Sequence, residues 1–132
     1  MSRERLDRLH ELLAGEELDA LIVEGAANLR YLTGYTGSNG LALVLAAGGD
    51  RFFTDFRYAS QIAEELEPSF TAEIISGELL DAISGGLPGG RVGFDDGQLS
   101  VRRHARLREL VDDGVELVGA SGLVERLRAV KD

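Results

Sequence analysis

Leu41-Ala-Leu-Val-Leu-Ala-Ala-Gly-Gly-Asp-Arg-Phe-Phe-Thr54 is the stretch that decides the fold. Residues 41–46 form a continuous apolar run, which reads as a buried strand. Gly48-Gly49-Asp50 is a strong turn signal, and residues 51–54 follow as a second strand. The loop is too short for a parallel crossover, so the two strands are expected to pair as an antiparallel hairpin.

Upstream of the hairpin, Leu6, Leu9, Leu12 and Leu13 recur at helical spacing between charged residues. Ser2 is expected to cap this helix and Gly15 to end it. Residues 20–23 (Ala-Leu-Ile-Val) read as a buried strand, and residues 26–31 as a helical turn. Gly34, Gly37 and Gly40 then interrupt regular structure.

Downstream, Asp55 is expected to cap a helix running to about Glu67, with Phe56, Ala59, Ile62, Ala63 and Leu66 turned inward and Pro68 as its stop. Residues 71–75 read as a strand, 78–84 as a short helix, 86–90 as a loop and 91–94 as a strand. Ser100 caps a helix over 101–111, residues 115–118 form a strand, and 123–130 begin a last helix. One antiparallel hairpin thus sits inside an otherwise alternating order. That predicts an α/β fold with a single mixed β-sheet and flanking helices. Leu123, Val124, Leu127 and Val130 make an apolar stripe with little chain left to cover it. Either this helix folds back on the domain or the chain is cut near a domain boundary; the second is favoured.

With 132 residues, 44% of them apolar, the chain is long enough for one domain with a real core. Its formal charge of −9 argues against nucleic acid and against an anionic membrane surface as partners. Cysteine is absent, which removes disulfides and thiolate chemistry. The charged N-terminal stretch is not a signal peptide, and no apolar run reaches the ~20 residues of a membrane helix. A cytoplasmic, soluble protein is the expectation.

No group of residues rises to a catalytic or metal centre. His10 and His104 lack partners at metal-ligand spacing and read as solvated helix residues. Asp95-Asp96-Gly97 reads as a turn, and the adjacent Asp112-Asp113 pair lacks the further ligands of a calcium loop. Arg102, Arg103, Arg106 and Arg108 read as a solvated helix face or a contact with an acidic partner surface. The glycine cluster of residues 34–40 has no P-loop lysine and leads into a strand, not a helix. Ser38 and Asn39 at its tip carry hydrogen-bonding side chains, whose simplest role is to form the turn. No serine sits in a nucleophile elbow.

Three segments taken together add a resemblance. They are Asn28-Leu-Arg-Tyr-Leu-Thr-Gly-Tyr-Thr-Gly-Ser-Asn-Gly40, Thr54-Asp-Phe-Arg-Tyr58 with Gln61 after it, and Val124-Glu-Arg-Leu-Arg-Ala-Val-Lys-Asp132. Their order and spacing resemble the N-terminal domain of the Xaa-Pro peptidases (aminopeptidase P and prolidase) and creatinase. The first helix followed by Leu18-Asp-Ala-Leu-Ile-Val23 is also similar to that family's opening. The resemblance covers essentially residues 1–132 and implies ribonuclease-H-like topology. It further implies a following C-terminal domain of pita-bread fold, absent from this chain. That domain holds two divalent metal ions (manganese, cobalt or zinc) on two aspartates, a histidine and two glutamates. A metal-activated water there attacks the bond preceding proline.

The resemblance also implies a role for the N-terminal domain in dimer assembly and in narrowing the entrance for short proline-containing peptides. The matching positions are Tyr35, Ser38 and Asn39 in the loop, and Arg57 and Tyr58 in the second motif. Arg57 has a simpler reading as the ion-pair partner of Asp55 or of a carboxylate on a partner. The creatinase branch has an arginine near the loop. Ser38-Asn39-Gly40 has none, which disfavours creatine. The expected partners are the chain's own catalytic domain and a second copy in a homodimer. The alternative is a stand-alone module binding a small ligand at the glycine-rich loop or a protein at the basic helix.

Overall fold

The hairpin forms where the turn signal places it. In the computed structural model, which describes residues 2–130 and side chains from Arg3 onward, β2 (Gly40–Leu45) pairs antiparallel with β3 (Arg51–Thr54). Before it come α1 (Ser2–Gly15), β1 (Ala20–Val23) and α2 (Ala26–Thr33). After it come a 3₁₀ turn (Phe56–Tyr58), α3 (Ala59–Glu65), β4 (Thr71–Ile74), α4 (Leu79–Ser84), β5 (Gly90–Phe94), α5 (Val101–Leu110), β6 (Val115–Gly119) and α6 (Leu123–Arg128). The cap expected from the Ser2 side chain lies outside the described residues.

The six strands lie in the order β4-β3-β2-β1-β5-β6. β2 is antiparallel to both its neighbours, and every other pairing is parallel. This is the mixed sheet expected from the sequence, in the ribonuclease-H-like topology that the resemblance implies, with β4 added at one edge. One detail departs from the alternating pattern, which would lay β1 and β2 parallel. They pair antiparallel instead, Val23 against Ala42. Eight residues of α2 and the loop of residues 34–39 leave and return at the same end of the sheet. The start of β2 therefore joins the C-terminal ends of the other five strands along one edge.

Both sheet faces are covered. Leu21 and Val23 point to the side of α1, α2 and α6, where Leu6, Leu9, Leu13, Leu29 and Leu32 complete the core. Ala20 and Ile22 point to the other side, against Leu79, Leu80 and Ile83 of α4 and Leu107 of α5. This alternation follows from the two-residue period of a strand.

Several expectations change in space. Leu123, Val124 and Leu127 are buried in the core beside α1 and α2, so three of the four residues of the α6 stripe are covered within the domain, while Val130 is exposed. The inward set read for the segment after Asp55 is wrong for Phe56, Ala59 and Ala63, which are exposed. Ile62 is buried and Leu66 half-buried. The cause is the 3₁₀ turn: at three residues per turn it rotates the following helix away from a continuous α phase.

His10 is not simply solvated. Its Nε2 lies 2.9 Å from Oδ2 of the buried Asp50, whose Oδ1 accepts the Leu45 N–H at 2.7 Å. His104 is half-buried and packs on Phe94, ring centroids 5.0 Å apart. On α5, Ser100 caps as expected, its hydroxyl accepting the Arg103 N–H at 3.2 Å. The basic face is partly engaged internally: Arg103 pairs with Glu24, and Arg106 with Asp81 at 2.9 Å. Asp95 closes its turn by accepting the Gly97 N–H at 2.9 Å.

Candidate functional site

The loop between α2 and β2 is built around the Tyr35 ring. Gly34 ends α2 in the left-handed conformation (φ 83°), and its N–H donates to the Arg30 carbonyl at 3.0 Å. A side chain there would meet the Glu65 carbonyl oxygen at 2.6 Å, so only glycine fits. Tyr35 then turns inward and is only 1% exposed. Its ring lies 4.8 Å from that of Phe52 and 5.7 Å, edge-on, from that of Tyr58.

The phenol hydroxyl donates to the Asn39 carbonyl at 2.9 Å and accepts the Asn39 N–H at 3.2 Å. Thr54 Oγ1 donates to the same carbonyl. Burial pushes the Tyr35 phenol pKa upward, so it stays protonated. Gly37 and Gly40 flank the ring: a Cβ on Gly37 would sit 2.2 Å from the Tyr35 hydroxyl oxygen, and one on Gly40 would sit 2.7 Å from Phe52 Cζ. The loop is therefore wrapped closely on its own aromatic residue.

Two further anchors fix it. Glu65 of α3 accepts the Thr36 N–H at 2.9 Å and the Thr36 hydroxyl at 2.8 Å, and these bonds hold its carboxyl below the usual range. On the β3 side, Asn39 Nδ2 donates to Asp55 Oδ2 at 2.6 Å. Arg57 grips the same carboxylate through Nε (2.8 Å), Nη2 (2.9 Å) and its backbone N–H (3.0 Å). The hydrogen bonds from Arg57 first, and from Asn39 second, hold the Asp55 carboxyl far below the ordinary aspartate range. Asp55 in turn raises the Arg57 pKa. Ser38 Oγ and the Tyr58 hydroxyl share a short hydrogen bond.

The five residues singled out from the sequence thus come together. Ser38 meets Tyr58, and Asn39 meets Arg57 through Asp55. Tyr35 lies beneath them as the support, not at the surface. Ser38, Asn39 and Arg57 line a cleft of about 630 Å³ along the common edge of the strands. Glu24, which follows β1, Glu78 at the start of α4 and Arg103 of α5 complete its charged lining. Glu24 and Glu78 were missed, and Arg103 was read only as part of the basic helix face. Glu24 and Arg103 are 79 residues apart in sequence, and only the pairing of β1 with β5 brings them together. A ligand site at this edge follows the general rule for open α/β sheets.

The wall offers hydrogen bonds. Ser38 Oγ shares its hydrogen bond with the Tyr58 phenol. Among the described residues, no three His, Cys, Asp or Glu side chains converge to hold a metal ion.

Solved structures that share this mixed sheet include the N-terminal domains of peptidases. The chain belongs to the creatinase/prolidase N-terminal domain family, whose model matches residues 5–130. It is 30% identical over 132 residues to the uncharacterized peptidase YqhT of Bacillus subtilis (strain 168), covering 96% of this chain and 36% of that protein. It superimposes on the N-terminal domain of the cytoplasmic peptidase PepQ from Mycobacterium tuberculosis H37Rv with a TM-score of 0.85, at 33% identity, covering 95% of this chain and 98% of that one. It also matches the Xaa-Pro dipeptidase of Bacillus anthracis with a TM-score of 0.89, at 25% identity, covering 100% of this chain and 37% of that one. The chain spans little more than a third of the full-length peptidases it resembles.

Proposed function

We propose that this domain is the non-catalytic N-terminal part of a cytoplasmic, metal-dependent Xaa-Pro peptidase. In this reading residues 1–132 assemble with a C-terminal catalytic domain that carries two divalent ions. They help form a homodimer and shape the entrance for short proline-containing peptides. The observation that carries the proposal is the hydrogen-bonded wall of Ser38, Asn39, Arg57 and Tyr58, held on Tyr35 at the mouth of the cleft. It presents polar groups in fixed positions. Support also comes from the family and from relatives described as Xaa-Pro dipeptidase and peptidase. Among the described residues no helix is long and apolar enough to cross a membrane.

The test is hydrolysis of an Xaa-Pro dipeptide in the presence of manganese. The 132-residue chain should show none, and the parent polypeptide should cleave it. Turnover by the isolated chain overturns the non-catalytic reading, and an inactive parent overturns the peptidase reading.

A free-standing small-ligand module is the second reading. It is favoured by the size of the cleft, which falls within the ~300–1,000 Å³ of ligand pockets. Protein docking on the basic helix has less support, because Arg103 and Arg106 pair internally.

A further inference from the structure

Two arginines line the cleft, and each is matched by a carboxylate of this chain. Arg57 is clamped by Asp55 through Nε and Nη2, and Arg103 pairs with Glu24. Glu78 lines the same cleft and has no charged partner among the described residues. The cleft therefore holds no uncompensated cation, in a domain of charge −9. An anion approaching Arg57 meets the guanidinium and the Asp55 carboxylate almost at once, and the two fields largely cancel. Hydrogen-bond donation survives that cancellation. The clamp engages Nε and Nη2, and among the described residues Nη1 of Arg57 has no acceptor.

Asp55 also fixes the other half of the wall. Through Asn39 Nδ2 it ties the loop before β2 to the turn after β3. The loop and Arg57 are thus set by one carboxylate. This matters because a guanidinium held on one edge by a carboxylate is oriented, while a free one samples many rotamers.

We infer that Asp55 is a positioning residue that fixes the Asn39 loop and aims Arg57 while cancelling its charge, so that this wall receives neutral carbonyl oxygens of a peptide and not a free carboxylate. The inference rests on the reading of the cleft as peptide-facing and assigns its chemistry. A peptide would lie along the wall by its main-chain carbonyls, and its carboxylate end would be held elsewhere.

The test uses the 132-residue chain at neutral pH and low salt, following the Arg57 Nε–H resonance. Acetate serves as the anionic probe and N-methylacetamide as the neutral one. Asp55→Asn keeps an oxygen for Asn39 and removes the cancelling charge. It should bind acetate about five-fold more tightly than the wild type, while the response to N-methylacetamide weakens, because the amide NH2 that replaces one oxygen cannot accept from Arg57. Asp55→Ser, which keeps a capping oxygen, gives the same comparison if the first variant does not fold. Equal acetate affinity in wild type and variant overturns the inference. The outcome is separable from the peptidase reading. That reading is decided by hydrolysis in the parent polypeptide, whereas acetate binding needs no catalytic domain.

Discussion

Asn39 Nδ2 donates to Asp55 Oδ2 across 2.6 Å, joining the residue before β2 to the residue after β3. The bond closes the open end of a hairpin whose other end is the glycine turn. It belongs to a set that stabilises the ionised carboxylate, and its pH dependence has a definite sign. The folded-state pKa of Asp55 is depressed. Its contribution to stability is therefore present above the unfolded-chain value of about 3.9 and is lost only as pH falls through the lower, folded value. A carbon-13 titration of the Asp55 carboxyl should find it still ionised where exposed aspartates are half protonated. A midpoint at or above about 3.9 contradicts the clamp.

Tyr35→Phe removes the hydroxyl that both accepts the Asn39 N–H and donates to its carbonyl. Thr54 still serves the carbonyl, but the N–H loses its acceptor. The loss in unfolding free energy should be about 1–2 kcal/mol. Urea denaturation reads it directly, and an unchanged midpoint would mean that the hydroxyl does not support the loop.

Glycine substitutions separate close packing from mere turn preference. Gly37→Ala puts a methyl into the Tyr35 hydroxyl, at 2.2 Å before relaxation, and should destabilise by about 1–3 kcal/mol. Gly77→Ala meets nothing within 4 Å and has no positive φ, so it should stay within about 0.5 kcal/mol of wild type. Similar thermal midpoints for the two variants would contradict the wrapping of the loop on Tyr35.

Leu127 is 7% exposed in the core shared by α1, α2 and α6. Leu127→Ala should cost about 2–4 kcal/mol in the 132-residue chain. A cost near zero would mean that α6 does not fold back on this domain in solution.

The hairpin and α5 were legible because each is marked by explicit punctuation: Gly48-Gly49-Asp50 for the hairpin and Ser100 for α5. The direction of β2 relative to β1 was not legible, since nothing local tells whether α2 and its loop cross the sheet or return to the same end. The inward set of α3 failed because a 3₁₀ start shifts the helical phase without changing composition. At the site, residue identities were legible and contacts were not. Tyr35 between glycines reads as part of an exposed loop, yet it is the loop's core. The bond from Arg57 to Asp55 is local, two residues apart, and was foreseen. The bond from Arg103 to Glu24 spans the sheet and could emerge only from the assembled fold.

The most direct test of the entrance role is the steady-state kinetics of the parent polypeptide carrying Asn39→Ala, on an Xaa-Pro dipeptide. Loosening the wall should weaken substrate binding without touching the chemistry: KM should rise about five-fold, with kcat within about two-fold of wild type. Unchanged KM and kcat, at unchanged stability, would contradict a role for this domain at the substrate entrance.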